Sequence, residues 1–402
     1  MSVAEAGRVE VVNFGCRLNL AEGEAIRAAA TRAHAADTIV FNSCAVTDEA
    51  VRQALQAVRR ARRGRPETDV VVTGCAAELE RDAFEALGAR IVANDAKGLA
   101  QSYGGEASPA RHAYTPALSG ADHARAFLGV QTGCSHSCTF CATVIARGAA
   151  RSATIDAAVD AARTAIDRGQ REIILTGVDL ASYGEDSGTS LAALVEALLR
   201  LPVERLRLSS LDPDRIDDAL FALLTQEPRV MPHVHLSLQA GDDMILTRMK
   251  RRHRRTDAVR LTERLKTARP EIAIGADLIA GFPTEDEDMF ANSMALIDDC
   301  DIVFGHIFPY SPRAGTPAAR MPQVGRGVAR ERAAKLREAN ARRRAAWLDT
   351  QIGSTASMLV ERDGRTGHAE NFAAVRLTAP AEPGSIMSVR LSARDGDRMV
   401  AA

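Results

Sequence analysis

The chain lacks an excess of charge of either sign: 51 Lys and Arg stand against 52 Asp and Glu, a formal net charge of -1. That balance excludes a global field as the means of finding a nucleic acid, so any such partner must be read from local clusters. Long apolar runs are missing as well. No stretch approaches the roughly 20 apolar residues that span a bilayer, and Met1 to Glu10 has neither the basic start nor the apolar run of a secretory signal. The expectation is a soluble, cytoplasmic protein with no membrane partner. Low-complexity tracts and internal repeats are also absent. Cysteine is sparse, with seven in the chain. In a reducing compartment so few thiols argue for metal binding or catalysis before disulfides.

What is present suffices for a folded protein, since 46% of the 402 residues are hydrophobic, too many residues for one compact core and too apolar for disorder. Two or three domains are expected. From Val9, β-branched runs alternate with Ala-rich and Arg-rich helical stretches: Val9 to Phe14, Thr38 to Asn42, Asp69 to Thr73 and Ile91 to Val92 read as strands of a parallel α/β sheet. The turn-rich segment Gln101 to Gly120 reads as a boundary. The pattern then restarts with Phe127 to Gln131, Glu172 to Leu175, Leu206 to Ser209, His233 to Leu238, Ile272 to Ile279 and Val303 to Phe308. Six such units predict an open or partial (β/α)6 barrel whose site lies at the strands' C-terminal ends. Gly325 to Leu348 reads as a long charged helix, and Ser357 to Val400 as a small β-barrel or sheet too small to stand alone comfortably. The fold class is therefore α/β, with domains expected over residues 7–110, 120–350 and 351–402.

Cys134, Cys138 and Cys141 form a C-x3-C-x2-C run directly after the first strand of the second domain. Three thiolates on one loop can hold a four-iron cluster and leave one iron open, as a cluster must if it binds and reduces a substrate. A zinc knuckle is the competing reading, but structural zinc closes with four ligands, and no fourth with standard spacing is evident; His136 lies inside the loop. Cys16, Cys44 and Cys75 each close a strand of the first domain, after Gly or Ser. Neighbouring parallel strands share one carboxyl edge, so these thiols should converge as a second three-thiolate site. Burial as small apolar residues is the alternative. Cys300 has no such context and reads as a buried structural thiol.

With these two cysteine sets the chain resembles the methylthiotransferase family of radical S-adenosylmethionine (SAM) enzymes over nearly its whole length. The resemblance implies two 4Fe-4S clusters and SAM as cofactors. Cys134, Cys138 and Cys141 would hold the cluster that cleaves SAM, and Cys16, Cys44 and Cys75 the auxiliary cluster that supplies or carries sulfur. The central and last domains would be a radical SAM barrel and an RNA-binding domain of TRAM type. Gly177, Asp179, Ser209, Gln239, Asp277 and Gly281 occupy places where such barrels meet SAM or substrate, although Gly, Ser and Asp also favour plain turns. Side chains alone cannot remove a hydrogen from an aromatic carbon, so the cofactors must do it; no catalytic side chain is assigned. The chain departs from the family in lacking a proline after Cys141, in carrying Thr284 where a second glycine is common, and in its short tail.

Leu175 to Asp179, Ser182 to Asp186 and Arg207 to Leu211 are similar to the branch that methylthiolates C2 of N6-threonylcarbamoyladenosine, 3' of the anticodon in tRNA. Arg147 is a candidate for that nucleoside's carboxylate, with a structural salt bridge as the alternative. Partners implied are tRNA, a reductant such as flavodoxin or ferredoxin, and a sulfur donor. Basic runs at Arg59 to Arg65, Lys250 to Arg255 and Arg342 to Arg344 have the clustering of a phosphate footprint, though such runs are usually solvated faces. Competing functions are methylthiolation of isopentenyladenosine or of a ribosomal-protein aspartate, and two-cluster electron transfer.

Overall fold

A computed structural model describes residues 8–33, 35, 37–106 and 114–401. Part of the expected boundary segment, residues 107–113, lies outside the described residues, as do the expected domain limits at residues 7 and 402. The first part is a four-stranded parallel sheet in sequential order: β1 (Val9–Asn13), β2 (Thr38–Ser43), β3 (Asp69–Gly74) and β4 (Arg90–Ile91). Helices cover the sheet, so its central strands carry continuous apolar runs, and β2 is buried along its length. Of the helices, α1 spans Arg17–Arg32, α2 Asp48–Gly64 and α3 Cys75–Leu79. The Thr47 hydroxyl accepts the Ala50 N–H to cap α2, and Asp48 and Glu49 follow at the positive end of the helix dipole. By contrast α1 has Cys16 at its cap position and no side-chain cap, and α3 begins on Cys75 itself. The start of α1 thus carries a thiol where capping chemistry would place Ser, Thr or Asp, and α3 carries one at its first residue after Gly74.

The second part begins with β5 (Ala117–Leu118), antiparallel on the edge of β6 (Arg125–Gly129), and a short ladder of β7 (Gln131–Thr132) with β8 (Arg151–Ser152). Five parallel strands follow β6: β9 (Glu172–Thr176), β10 (Arg205–Leu208), β11 (His233–Gln239), β12 (Ala273–Ala280) and β13 (Ile302–Pro309). Their order β6-β9-β10 and β11-β12-β13 is joined through the bridges Leu206 to Val230 and Leu211 to Leu236. The result is the expected six-unit open barrel. Alternate residues such as Leu128, Ile173, Leu206, Leu236 and Ala276 join the largest apolar core. By the period of two, Arg125, Glu172, Arg205, Arg207, His233, His235 and Asp277 take the other face, toward the lumen.

The third part, β14 (Thr355–Val360), β15 (Thr366–Ala369), β16 (Ala374–Leu377), β17 (Ile386–Asp395) and β18 (Arg398–Ala401), closes into a barrel. Closure removes exposed strand edges. It is too small for a core of its own and shares one: Met358, Val360, Val375 and Met399 pack with Ala273, Val303 and Trp347, the last on the 25-residue helix Arg326–Thr350. Polar contacts fix it to strand starts, with Arg205 Nη2 to Ser357 Oγ at 2.6 Å, Arg125 to Glu361 at 2.5 Å and Arg207 Nη2 to the Glu370 carbonyl at 3.2 Å. Phe372, at φ +73, lays its ring 4.8 Å from that of His233. The small barrel therefore plugs the end of the open barrel opposite the cysteine loop. Among the described residues no helix is long and apolar enough to cross a membrane.

Candidate cluster and substrate site

The loop after β7 carries Cys134, Cys138 and Cys141, and its backbone and neighbours turn N–H groups toward sulfur. The His136 N–H donates to Cys134 Sγ at 3.3 Å and the Thr143 N–H to Cys141 Sγ at 3.4 Å. Arg251 Nη1 donates to Cys138 Sγ at 3.5 Å. Burial pushes the Cys134 thiol up to about 12, with Asp179, Cys141 and Cys138 adding to it; burial also raises Cys138 against the pull of Arg251. The thiols are thus close enough to repel as thiolates, and ligation must release their protons. Three soft donors with charge-assisted N–H contacts fit a thiolate-bound iron-sulfur cluster.

Strand register brings the other three cysteines together. Asn13 pairs with Asn42 and Ser43 with Gly74, so Cys44 and Cys75 follow adjacent pairs and Gly15 stands beside Cys44. A Cβ on Gly15, which sits at φ +86, would lie 2.4 Å from Cys44 Sγ, and one on Gly74 would lie 2.2 Å from the Ser43 carbonyl oxygen. These glycines let the strand ends close up. Burial raises the Cys44 thiol to about 11, and Cys16 and Cys75 push the same way. Cys16 is exposed, Cys44 buried and Cys75 between, yet burial still raises the Cys16 thiol, so the set is accessible on its Cys16 side but deeply seated. Cys300 is buried, as expected.

Arg147 joins the two cysteine sets. It ends the short helix Thr143–Arg147 after Cys141, and its side chain is 3% exposed. Its guanidinium donates to Glu22 Oε1 at 2.8 Å, Glu22 Oε2 at 3.0 Å, Asn19 Oδ1 at 2.6 Å and Thr132 Oγ1 at 3.1 Å, and its Nε to Cys75 Sγ at 3.2 Å. Lys97 Nζ reaches Glu22 at 2.6 Å. Burial alone would raise the Glu22 carboxyl; Arg147 and Lys97 hold it down to about 2. Arg147 is therefore the structural ion pair of the two alternatives and is spent before any substrate carboxylate arrives.

The lumen is polar and rich in cations. Glu172, fully buried, accepts Arg207 Nε at 3.1 Å and stands 3.7 Å from Arg205 Nη1. Arg17 reaches in from α1, its pKa lowered to about 10 by burial and then by Arg125 and Arg207. Buried nitrogens of Arg205 and Arg207, both ring nitrogens of His233 and the Ser209 hydroxyl have no hydrogen-bond partner among the described residues. Higher up, His235 Nε2 and His306 Nδ1 stand 3.2 Å and 3.4 Å from Asp277 Oδ1.

The expected SAM-contact residues fall in different surroundings. The Asp179 carboxylate accepts the Ser182 hydroxyl at 2.6 Å and lies 3.3 Å from His136 Nε2 and 3.7 Å from Cys134 Sγ, against the cysteine loop. A Cβ on Gly177 would lie 2.9 Å from Gln131 Oε1, which accepts the Val178 and Asp179 N–H groups. Ser209 follows β10, and Gln239, at φ +70, ends β11. Gly281 differs: a Cβ there would lie 2.4 Å from Ala329 Cβ, and its N–H donates to Glu285 at 2.7 Å, so it serves the packing of the long helix. Within the basic run Lys250 to Arg255, Arg251 is buried, pairs with Asp212 and donates to the Ser237 carbonyl at 2.8 Å beside Cys138. Arg255 pairs with Asp299. Sequence reasoning missed Asp212, Gln131, His235 and His306, and it named Arg251 only as part of a phosphate-binding run, whereas its side chain is spent on Asp212 and Cys138. Only the alternation His233-x-His235 on a strand carried a signal, two imidazoles on one face.

Two family models match the chain: the radical SAM superfamily over residues 128–297 and the uncharacterized protein family UPF0004 over residues 8–93. Threonylcarbamoyladenosine tRNA methylthiotransferase MtaB of Rickettsia prowazekii (strain Madrid E) is 39% identical over 96% of this chain and 94% of its own. The protein of the same name from Thermotoga maritima is 32% identical over 78% and 77%. The tRNA-2-methylthio-N(6)-dimethylallyladenosine synthase of Erythrobacter litoralis is 32% identical over 88% and 86%. Among solved structures, the radical S-adenosylmethionine methyltransferase TsrM of Kitasatospora setae aligns at a TM-score of 0.57 and 15% identity over 77% of this chain and 74% of its own, a likeness of fold alone. An open six-strand barrel with a three-cysteine loop beyond its first strand defines a radical SAM enzyme. The chain belongs to the MtaB-like methylthiotransferase family of that class, whose cofactors are SAM and 4Fe-4S clusters.

Proposed function

We propose that this enzyme methylthiolates C2 of N6-threonylcarbamoyladenosine 3' of the anticodon in tRNA, working in the cytoplasm. The carrying observation is the polar wall that the barrel presents between its small-barrel plug and the cysteine loop, made by His235, Asp277, His306 and the Ser209 hydroxyl, unpartnered among the described residues. A carboxylate-bearing nucleoside suits such walls, whereas an isoprenoid side chain asks for an apolar pocket. The MtaB relatives, named for the threonylcarbamoyl substrate, support the same branch.

In this reading Cys134, Cys138 and Cys141 hold the SAM-cleaving cluster, and Cys16, Cys44 and Cys75 hold the auxiliary one. When bound, SAM and the two clusters supply a carbon radical able to take the C2 hydrogen and the sulfur that replaces it. The chain's own residues orient and enclose: Asp179 with Ser182 fixes the cysteine loop, Arg251 holds Cys138, and Arg147 keeps the two cysteine sets in register. Gly177, Asp179, Ser209, Gln239 and Asp277 are the proposed SAM contacts; Gly281, its N–H given to Glu285, serves the packing of the long helix instead. A flavodoxin or ferredoxin would supply electrons, and a separate donor the sulfur. Cells lacking this protein are expected to keep N6-threonylcarbamoyladenosine and lose its 2-methylthio form, read by mass spectrometry of tRNA nucleosides. Loss of 2-methylthio-isopentenyladenosine instead would overturn the branch assignment.

A further inference from the structure

Three neighbouring strands each contribute one ligand-type atom to one point in the lumen: His235 from β11, Asp277 from β12 and His306 from β13. His235 Nε2 and His306 Nδ1 lie 3.2 Å and 3.4 Å from Asp277 Oδ1, and all three atoms lie within 4.8 Å of one another. Ligand atoms that share a divalent ion at about 2.0–2.2 Å stand about 3.0–3.4 Å apart at octahedral to tetrahedral angles, so the two measured separations are those of a shared ion.

Weak pairing of both imidazoles with Asp277 accounts for the cluster only in part. His235 Nε2 is buried, yet it has no hydrogen-bond partner among the described residues even with a carboxylate oxygen 3.2 Å away. The pair stands at hydrogen-bond distance but outside full hydrogen-bond alignment. Room for the imidazole is built in: a Cβ on Gly275, two residues before Asp277, would lie 2.5 Å from His235 Nδ1. Sheet backbones fix the first two ligands. The third, His306, has a side chain 62% exposed, so its ring can turn to close the set.

We propose that His235, Asp277 and His306 form a mononuclear site for a divalent transition-metal ion of the zinc type, distinct from both cysteine sets and open toward the lumen. Two neutral imidazoles and one carboxylate suit zinc, iron(II) or manganese(II) and leave a divalent ion with one uncompensated positive charge. A substrate carboxylate would balance that charge at an open position. For this enzyme that group is the threonyl carboxylate, a step that rests on the function proposed above.

The test uses full-length protein with its clusters loaded, so that thiols do not compete, and Zn2+ alone as the probe. After equilibration and buffer exchange, elemental analysis should find one zinc per chain beside unchanged cluster iron, and zinc-edge absorption should report nitrogen and oxygen donors without sulfur. His306→Ala, which opens no buried cavity, and Asp277→Asn should each cut retained zinc to below about a tenth with iron content unchanged. No zinc in the unaltered protein, sulfur in its shell, or equal retention by His306→Ala would each overturn the site. Because tRNA plays no part in these readouts, their failure is distinguishable from failure of the nucleoside assay.

Discussion

At the residue scale, the six candidate ligand cysteines are set apart by their donors. Cys138 takes a hydrogen bond from Arg251 within the barrel, whereas Cys44 closes against Gly15 in the first sheet. Different domains imply separable roles. Cys138→Ala should abolish formation of 5'-deoxyadenosine from SAM and a reductant, while Cys44→Ala should leave part of that cleavage but yield no methylthio product. Equal loss of cleavage in both variants would contradict the division. Arg147 bears on both sets, since its guanidinium touches Cys75 and its backbone follows Cys141 by six residues. A sequence shows that such an arginine is near one set and cannot show that its side chain is spent on the other.

At the scale of elements, the starts of β6, β9 and β10 are held to the small barrel by arginines that share Glu172. Burial would raise that carboxyl, but Arg207 first, with Arg125 and Arg205, holds it down to about 2. A folded-state pKa below the ordinary value of about 4.3 gives stability that is fully present above that value and is lost as pH falls toward about 2. Denaturant midpoints should therefore drop as pH is lowered through about 4. Glu172→Gln should remove that part of the pH slope and, by leaving Arg207 without its counter-charge, cost about 3–5 kcal/mol near neutrality. An unaltered slope in the variant would show that other carboxyls carry the acid sensitivity.

At the scale of the whole molecule, the small barrel and the cysteine loop lie at opposite ends of the strands, so a tRNA that reaches the lumen needs phosphate contacts near the loop as well. The turn after Met249 is the proposed source of them: the Thr139 N–H donates to the Met249 carbonyl at 3.1 Å, and exposed Lys250, Arg252 and Arg254 stand beside the loop. Arg251 is excluded from that footprint by its bond to Asp212. Replacing Lys250, Arg252 and Arg254 by Ala, with Arg251 left intact, should weaken tRNA binding and reduce its salt slope by about 0.7–0.9 per lost phosphate contact. The same salt dependence before and after would make the run a solvated face.

By itself the sequence determined what short-range spacing controls. The C-x3-C-x2-C loop is a local object, and the alternation of β-branched runs with helices fixes a parallel sheet whose strand ends, and so Cys16, Cys44 and Cys75, share one edge. The glycines before Cys16 and Cys75 were legible for the same reason. Only the tertiary structure decided where long side chains from distant segments end. Arg147 meets Glu22 across 125 residues of chain, Arg251 meets Cys138 across 113, and the small barrel borrows its core from Trp347 and Val303. His235, Asp277 and His306 each look ordinary on their own strands, and parallel register alone brings their ligand atoms to one point. Spacing along the chain sets the face on which a side chain lies; which partner it finds there depends on register, packing and the desolvation cost of leaving a buried charge unpaired.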